Sequence, residues 1–127
     1  MKSSAIAHSN IALIKYWGRS SNLNIPLNDS ISMTKFGIGE TELKAHTTIF
    51  FSDEYVNDVA FLNKKSLVGR NKERVLAVVN PLREKAGSDL KFMMVSENDF
   101  PTQSGLASSA AGFAALAISA SHALDLK

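Results

Sequence analysis

Hydrophobic and polar positions follow two periods along this chain, and the change of period marks its elements. Residues 3–17, SSAIAHSNIALIKYW, read as one extended segment rich in isoleucine, with Asn10 interrupting the apolar run. Residues 21–32, SNLNIPLNDSIS, carry three asparagines, one aspartate and Pro26, which is turn chemistry. SISMTKFG then alternates Ile31 and Met33 with polar neighbours, as a half-buried strand does. ELKAHTTIFFS (42–52), DVAFLN (58–63) and LKFMMVSEN (90–98) are further strand candidates. Over residues 71–87, NKERVLAVVNPLREKAG, the spacing changes to threes and fours through Val75, Leu76, Val79 and Leu82. Asn71 can cap this helix and Gly87 can stop it. Pro81 predicts a break or kink near Val79–Asn80, because an interior proline loses a hydrogen bond and clashes, at about 3 kcal/mol. A second helix opens near Gly105 or Leu106 and runs to about Leu124. Strands come first and helices lie between later strands, so the pattern predicts an α+β layered domain rather than a doubly wound one.

Composition narrows the class. The chain has 127 residues, 45% hydrophobic and 20% charged, which suits one globular domain. No apolar run reaches the roughly 18 residues of a membrane span. His8, Ser9 and Asn10 interrupt any secretion-signal core at the N-terminus. The absence of cysteine excludes disulfides and thiol chemistry. A cytoplasmic protein is the expectation. Net charge is only +2, and NKKSLVGRNKER (63–74) is the one dense basic cluster, either a solvated face or a phosphate contact. No aromatics alternate with its lysines, so no nucleic-acid partner is expected, and the lack of a long apolar run leaves no membrane partner expected either. His8, His46 and His122 lack metal-ligand spacing, and no metal site is assigned; His122 lies in a helix expected to pack.

The candidate chemistry lies in PTQSGLASSAAG, residues 101–112. A helix N-terminus presents unpaired amides and a positive dipole end, which favour anions. Gly105 can turn without a Cβ so that backbone N–H groups converge, while Ser108 and Ser109 add hydroxyls. Ala107, Ala110, Ala111 and Gly112 keep the surroundings thin. The residues equally suit a tightly packed small-residue helix, and the two readings are compatible on opposite sides of one element. No Walker lysine motif occurs.

PTQSGLASSAAG resembles the phosphate-loop signature of the GHMP kinase superfamily. The longer ENDFPTQSGLASSAAGFAAL, with SNIALIKYWGR (9–19) and LNIPLNDSISMT (23–34) in the same order, resembles the diphosphomevalonate decarboxylase family within it. The resemblance implies a GHMP-type N-terminal domain over residues 1–127, a mixed sheet with helices on one face, with the C-terminal domain absent. It implies ATP with Mg²⁺, and ATP-dependent decarboxylation of mevalonate 5-diphosphate by a parent protein more than twice as long. The main catalytic aspartate is expected outside this chain. The resemblance makes Asn10 and Lys15 catalytic, and Tyr16, Arg19 and Arg74 substrate-binding. Pro101, Gly105, Leu106, Ala107, Ser108, Ser109 and Ala110 become the ATP-binding loop. The family usually has lysine where Arg19 stands, which leaves phosphomevalonate decarboxylase open. A superfamily small-molecule kinase and a non-catalytic nucleotide-binding fragment also stay open, as does a homodimer. For Tyr16 and Arg19 to face one substrate, the strand has to end or bend at Trp17–Gly18.

Overall fold

The computed structural model describes residues 1–15, 17–20, 25–36, 42–99 and 108–126, with the side chain of Ser108 left out. Seven strands and two helices occur among them: β1 (Lys2–His8), β2 (Asn10–Ile14), β3 (Ile31–Thr34), β4 (Lys44–Ser52), β5 (Val59–Leu62), β6 (Lys65–Ser66), α1 (Gly69–Ala86), β7 (Lys91–Asn98) and α2 (Ser108–Ala123). A five-stranded mixed sheet runs β1-β4-β7-β5-β6, and β2 with β3 forms a separate antiparallel ribbon. Only β5 and β7 pair in parallel, which the intervening α1 crossover makes possible.

The core follows from the two-residue period of β4 and β7. Ala45, Thr47, Ile49 and Phe51 point inward from β4, and Phe92, Met94 and Ser96 from β7. The antiparallel register places Phe51 opposite Phe92, whose rings meet edge to face at 6.0 Å. Further along, Thr47 lies opposite Ser96, and their buried hydroxyls share a 2.9 Å hydrogen bond. Val75 and Val79 of α1 and Leu116 and Ala120 of α2 close over the same face, so both helices lie on one side. This is the mixed α+β arrangement the sequence pattern predicts.

Three local expectations need correction. The segment 3–17 is two strands in two sheets, and the break falls at Ser9. Buried Ser9 donates its N–H to Leu43 O at 2.8 Å and accepts from Lys35 N at 2.7 Å, tying the ribbon to the sheet. The first helix begins at Gly69, with Val68 rather than Asn71 at its cap and no side-chain cap bond. Its N-terminus is set instead by the tight return from β6, where Gly69 takes φ +52°. Pro81 also fails to interrupt the helix, which continues to Ala86. Buried Val75 and Val79 on one side of the proline, and Arg83 on the other, hold both halves. The Arg83 fork binds Asp58 at 3.0 and 3.1 Å and also donates to Leu90 O at 3.0 Å. Gly87 ends the helix as expected, left-handed at φ +61° with its N–H on the Glu84 and Arg83 carbonyls. The second helix packs as expected, while His122 near its end is exposed.

Candidate functional site

Helix α2 is apolar on all sides, and small residues make its packing possible. Ala111, Ala115, Ala120 and Ala123 are buried, which lets the helix lie close over β1 and β4. The packed small-residue reading therefore holds along its length. Its first turn is different: Ser109 and Ala110 are exposed, and Ser109 lines a cavity of about 270 Å³.

That cavity is bounded by α1, α2, β5 and β7. Leu62, Leu67, Val75, Met94, Phe113 and Leu116 form its apolar wall, and Gly112 contributes bare backbone. Polar groups meet it from Asn71, Arg74, Ser96 and Asn98 as well as Ser109. Arg74 lies over the Phe113 ring at 4.8 Å, so its cation is held at the mouth by aromatic stacking. Asn98 Oδ1 is buried and has no hydrogen-bond partner among the described residues, although its backbone N–H is held by Asn63 Oδ1 at 2.9 Å. A buried acceptor left in this state costs free energy unless a ligand donor meets it. The volume is just below the range of roughly 300–1,000 Å³ typical of drug-sized sites, so the cavity suits one ring system with its tail outside. An apolar slot, an orphan acceptor, a cation and a helix N-terminus together match the base and phosphates of a nucleotide.

The ribbon carries the second group of sequence candidates. Asn10 pairs with Thr34 at its base, while exposed Lys15 follows the last paired residue, Ile14. β2 itself ends at Ile14, before Trp17. Gly18 takes φ +86°, the turn expected there, and Arg19 then bridges Pro26. Trp17 does not pack inward and is 82% exposed. Of the sequence-predicted residues, Ser109 and Arg74 share the cavity; Asn10, Lys15 and Arg19 do not line it. Ala110 is exposed beside Ser109. Tyr16, Pro101, Gly105, Leu106, Ala107 and the Ser108 side chain lie outside the described residues, as does the expected helix start at Gly105 or Leu106.

Asn71, Asn98 and Phe113 are site residues that pattern reading missed. Asn71 reads as a cap and Phe113 as core, and only a tertiary cavity distinguishes those roles. Among the described residues no cluster of three metal-ligating side chains occurs. Lys44 pairs with Glu42 and lies 3.7 Å from Asp99, the residue leading towards the loop. Hydrogen bonding to Lys44, and then its charge, hold the Glu42 carboxyl below its ordinary value; the bond to Glu42 raises Lys44 in turn.

The model of the diphosphomevalonate decarboxylase-like N-terminal domain matches residues 7–127. The chain belongs to this family. A diphosphomevalonate decarboxylase of Debaryomyces hansenii is 40% identical over 98% of this chain and 34% of its own length. A phosphomevalonate decarboxylase of Haloferax volcanii is 39% identical over 99% of this chain and 38% of its own. The chain thus spans about a third of the length of the curated relatives it matches. The mevalonate diphosphate decarboxylase of Enterococcus faecalis superposes with a TM-score of 0.86 at 37% identity, over 98% of this chain and 37% of its own. A second solved structure with the same values is a complex with MVAPP, AMPPCP and magnesium. These likenesses cover both the five-stranded sheet and the ribbon, and they bear out the fold class and the family resemblance.

Proposed function

We propose that these residues form the nucleotide-binding part, and one wall of the substrate site, of an ATP-dependent decarboxylase acting on mevalonate 5-diphosphate. The observation that carries this reading is the cavity joining Ser109 at the start of α2, Arg74 and the orphan Asn98 Oδ1. The adenine ring enters the apolar slot and its exocyclic amine donates to Asn98 Oδ1. The phosphates lie towards the α2 N-terminus and the Ser108–Ser109 hydroxyls, where the dipole and donors face negative charge. Arg74, which the family resemblance assigns to substrate, stands where it meets the polyphosphate chain as well. Asn10, Lys15, Tyr16 and Arg19 serve the acceptor side, with Arg19 on the 5-phosphate group. Pro101, Gly105, Leu106, Ala107 and Ala110 complete the loop around ATP.

ATP transfers its terminal phosphoryl group to the tertiary 3-hydroxyl, which turns a poor leaving group into a good one. Departure of phosphate and carbon dioxide then leaves isopentenyl diphosphate and ADP. Positioning and charge stabilisation supply most of such catalysis, which suits Arg74 and the polar donors that line the cavity. Magnesium bound with the nucleotide would neutralise charge on the transferring phosphoryl group. The enzyme acts in the cytoplasm on small-molecule substrates.

The monophosphate substrate is a second reading, favoured by Arg19 and by the near-equal likeness to the phosphomevalonate decarboxylase. Assays of the whole enzyme that carries this segment decide between them. Carbon dioxide release with ATP is expected, faster with the diphosphate. A stable phosphorylated product would assign a kinase instead. Ser109→Ala is expected to weaken ATP use about 10- to 100-fold, the loss of one charge-assisted donor. Unchanged ATP kinetics would reduce Ser109 to a packing residue.

A further inference from the structure

Ile14 pairs with Ile31 at the end of β2, and further along the ribbon Leu27 N donates to Gly18 O at 3.3 Å. Between these two points one described side chain joins the two arms. Asn28 Oδ1 accepts from Trp17 N at 2.9 Å. Its Nδ2 donates to Lys15 O at 3.4 Å and to Asp29 O at 2.8 Å. A carboxamide carries the same donor and acceptor as a peptide group, so Asn28 bonds Lys15 and Trp17 as a ladder partner does. Lys15 O and Trp17 N are both held from that one point.

We propose that Asn28 is the positioning residue of this site, the group that sets the Lys15–Trp17 backbone so that Lys15, Tyr16 and Arg19 meet substrate. This rests on the assignment above of those three residues to the substrate side. Asn28 touches no reacting group; it acts through the backbone it holds. Misplacement of such a segment by about 1 Å is enough to lower a rate by roughly two orders of magnitude. Asp29 and Ser30 are exposed in the same turn, but it is the Asn28 carboxamide that reaches both Lys15 and Trp17, so the bridge belongs to position 28.

Two measurements test this. In the 127-residue chain, hydrogen exchange of the Trp17 amide is expected to accelerate about 10-fold in Asn28→Ala, and to stay protected in Asn28→Asp, which keeps the acceptor. In the whole enzyme, Asn28→Ala is expected to lower kcat/KM for the mevalonate phosphate roughly 10- to 100-fold while the KM for ATP stays put. Asn28→Asp should lie between, since it loses both donor bonds. Unaltered Trp17 exchange in Asn28→Ala would overturn the bridge. Altered exchange with unchanged substrate kinetics, or equal losses for ATP and substrate, would reduce Asn28 to a stabiliser of the turn. A wild-type enzyme inactive on both mevalonate phosphates would overturn the decarboxylase reading, and the positioning role with it; the exchange result would still judge the bridge.

Discussion

Gly112 separates stability from ligand binding in a single substitution. It lies in the second turn of α2 and lines the cavity, and a Cβ built on it meets no heavy atom within 4 Å. Alanine there is therefore free of steric cost to the fold. Glycine within a helix is disfavoured relative to alanine by about 0.8–1 kcal/mol, so Gly112→Ala should stabilise the chain by about that amount. For a domain of this size that corresponds to a rise in Tm of about 4 °C. The added methyl projects into the space assigned to the nucleotide. Crowding a fitted site costs about 1–3 kcal/mol, so ATP affinity should fall by roughly 5- to 150-fold. Thermal unfolding followed by circular dichroism reads the first effect, and calorimetric titration with ATP the second. Gly112→Leu should deepen the binding loss. A lowered Tm in the alanine variant would contradict the open space beside Gly112. A raised Tm with unchanged ATP affinity would remove the nucleotide from this cavity.

Two further perturbations test the surrounding structure. Arg83→Ala should destabilise the fold by about 3 kcal/mol, because it leaves Asp58, only 12% exposed, with the Phe92 N–H alone at 3.0 Å. The double variant Arg83→Met with Asp58→Asn should cost less than that single change in chemical denaturation, and a larger cost would refute the pairing argument. For Glu42 and Lys44, Glu42's contribution to stability is complete above its ordinary value of 4.5 and fades as pH falls through its lowered folded value. That of Lys44 is complete below 10.5 and fades as pH rises through its raised value. In carboxyl-detected NMR titration, Lys44→Met should return the Glu42 midpoint upward towards 4.5, and added salt should shrink the difference; an unmoved midpoint would show the pair to be without effect.

Much of the fold is legible in local pattern. The alternation of Ala45, Thr47, Ile49 and Phe51 specifies an inward face of β4 whatever it packs against, since side-chain direction has a period of two. Gly87 announces a left-handed stop because few other residues occupy that backbone region at low cost. The small residues after Ser108 are visible as well, and they serve close helix packing along α2 together with the cavity at its first turn.

The rest depends on partners distant in sequence. Pro81 signals a break, yet α1 continues, because burial of Val75 and Val79 and the Arg83–Asp58 fork outweigh one missing backbone bond. The change of sheet at Ser9 depends on Leu43 and Lys35, and no local period reports it. Asn71, Asn98, Arg74 and Ser109 come from two helices and a strand, and their convergence exists only once α1 crosses from β5 to β7. Asn28 reads as turn composition until its carboxamide is seen spanning to Lys15 and Trp17. The sequence by itself determined the extended segments that become β3, β4, β5 and β7, the existence of two helices and the residue types available for phosphate chemistry, because those follow from short-range sterics and periodicity. Tertiary structure alone decided which of those residues share a cavity, because that choice is made by the parallel pairing of β5 on β7 and by the closure of both helices over one apolar face.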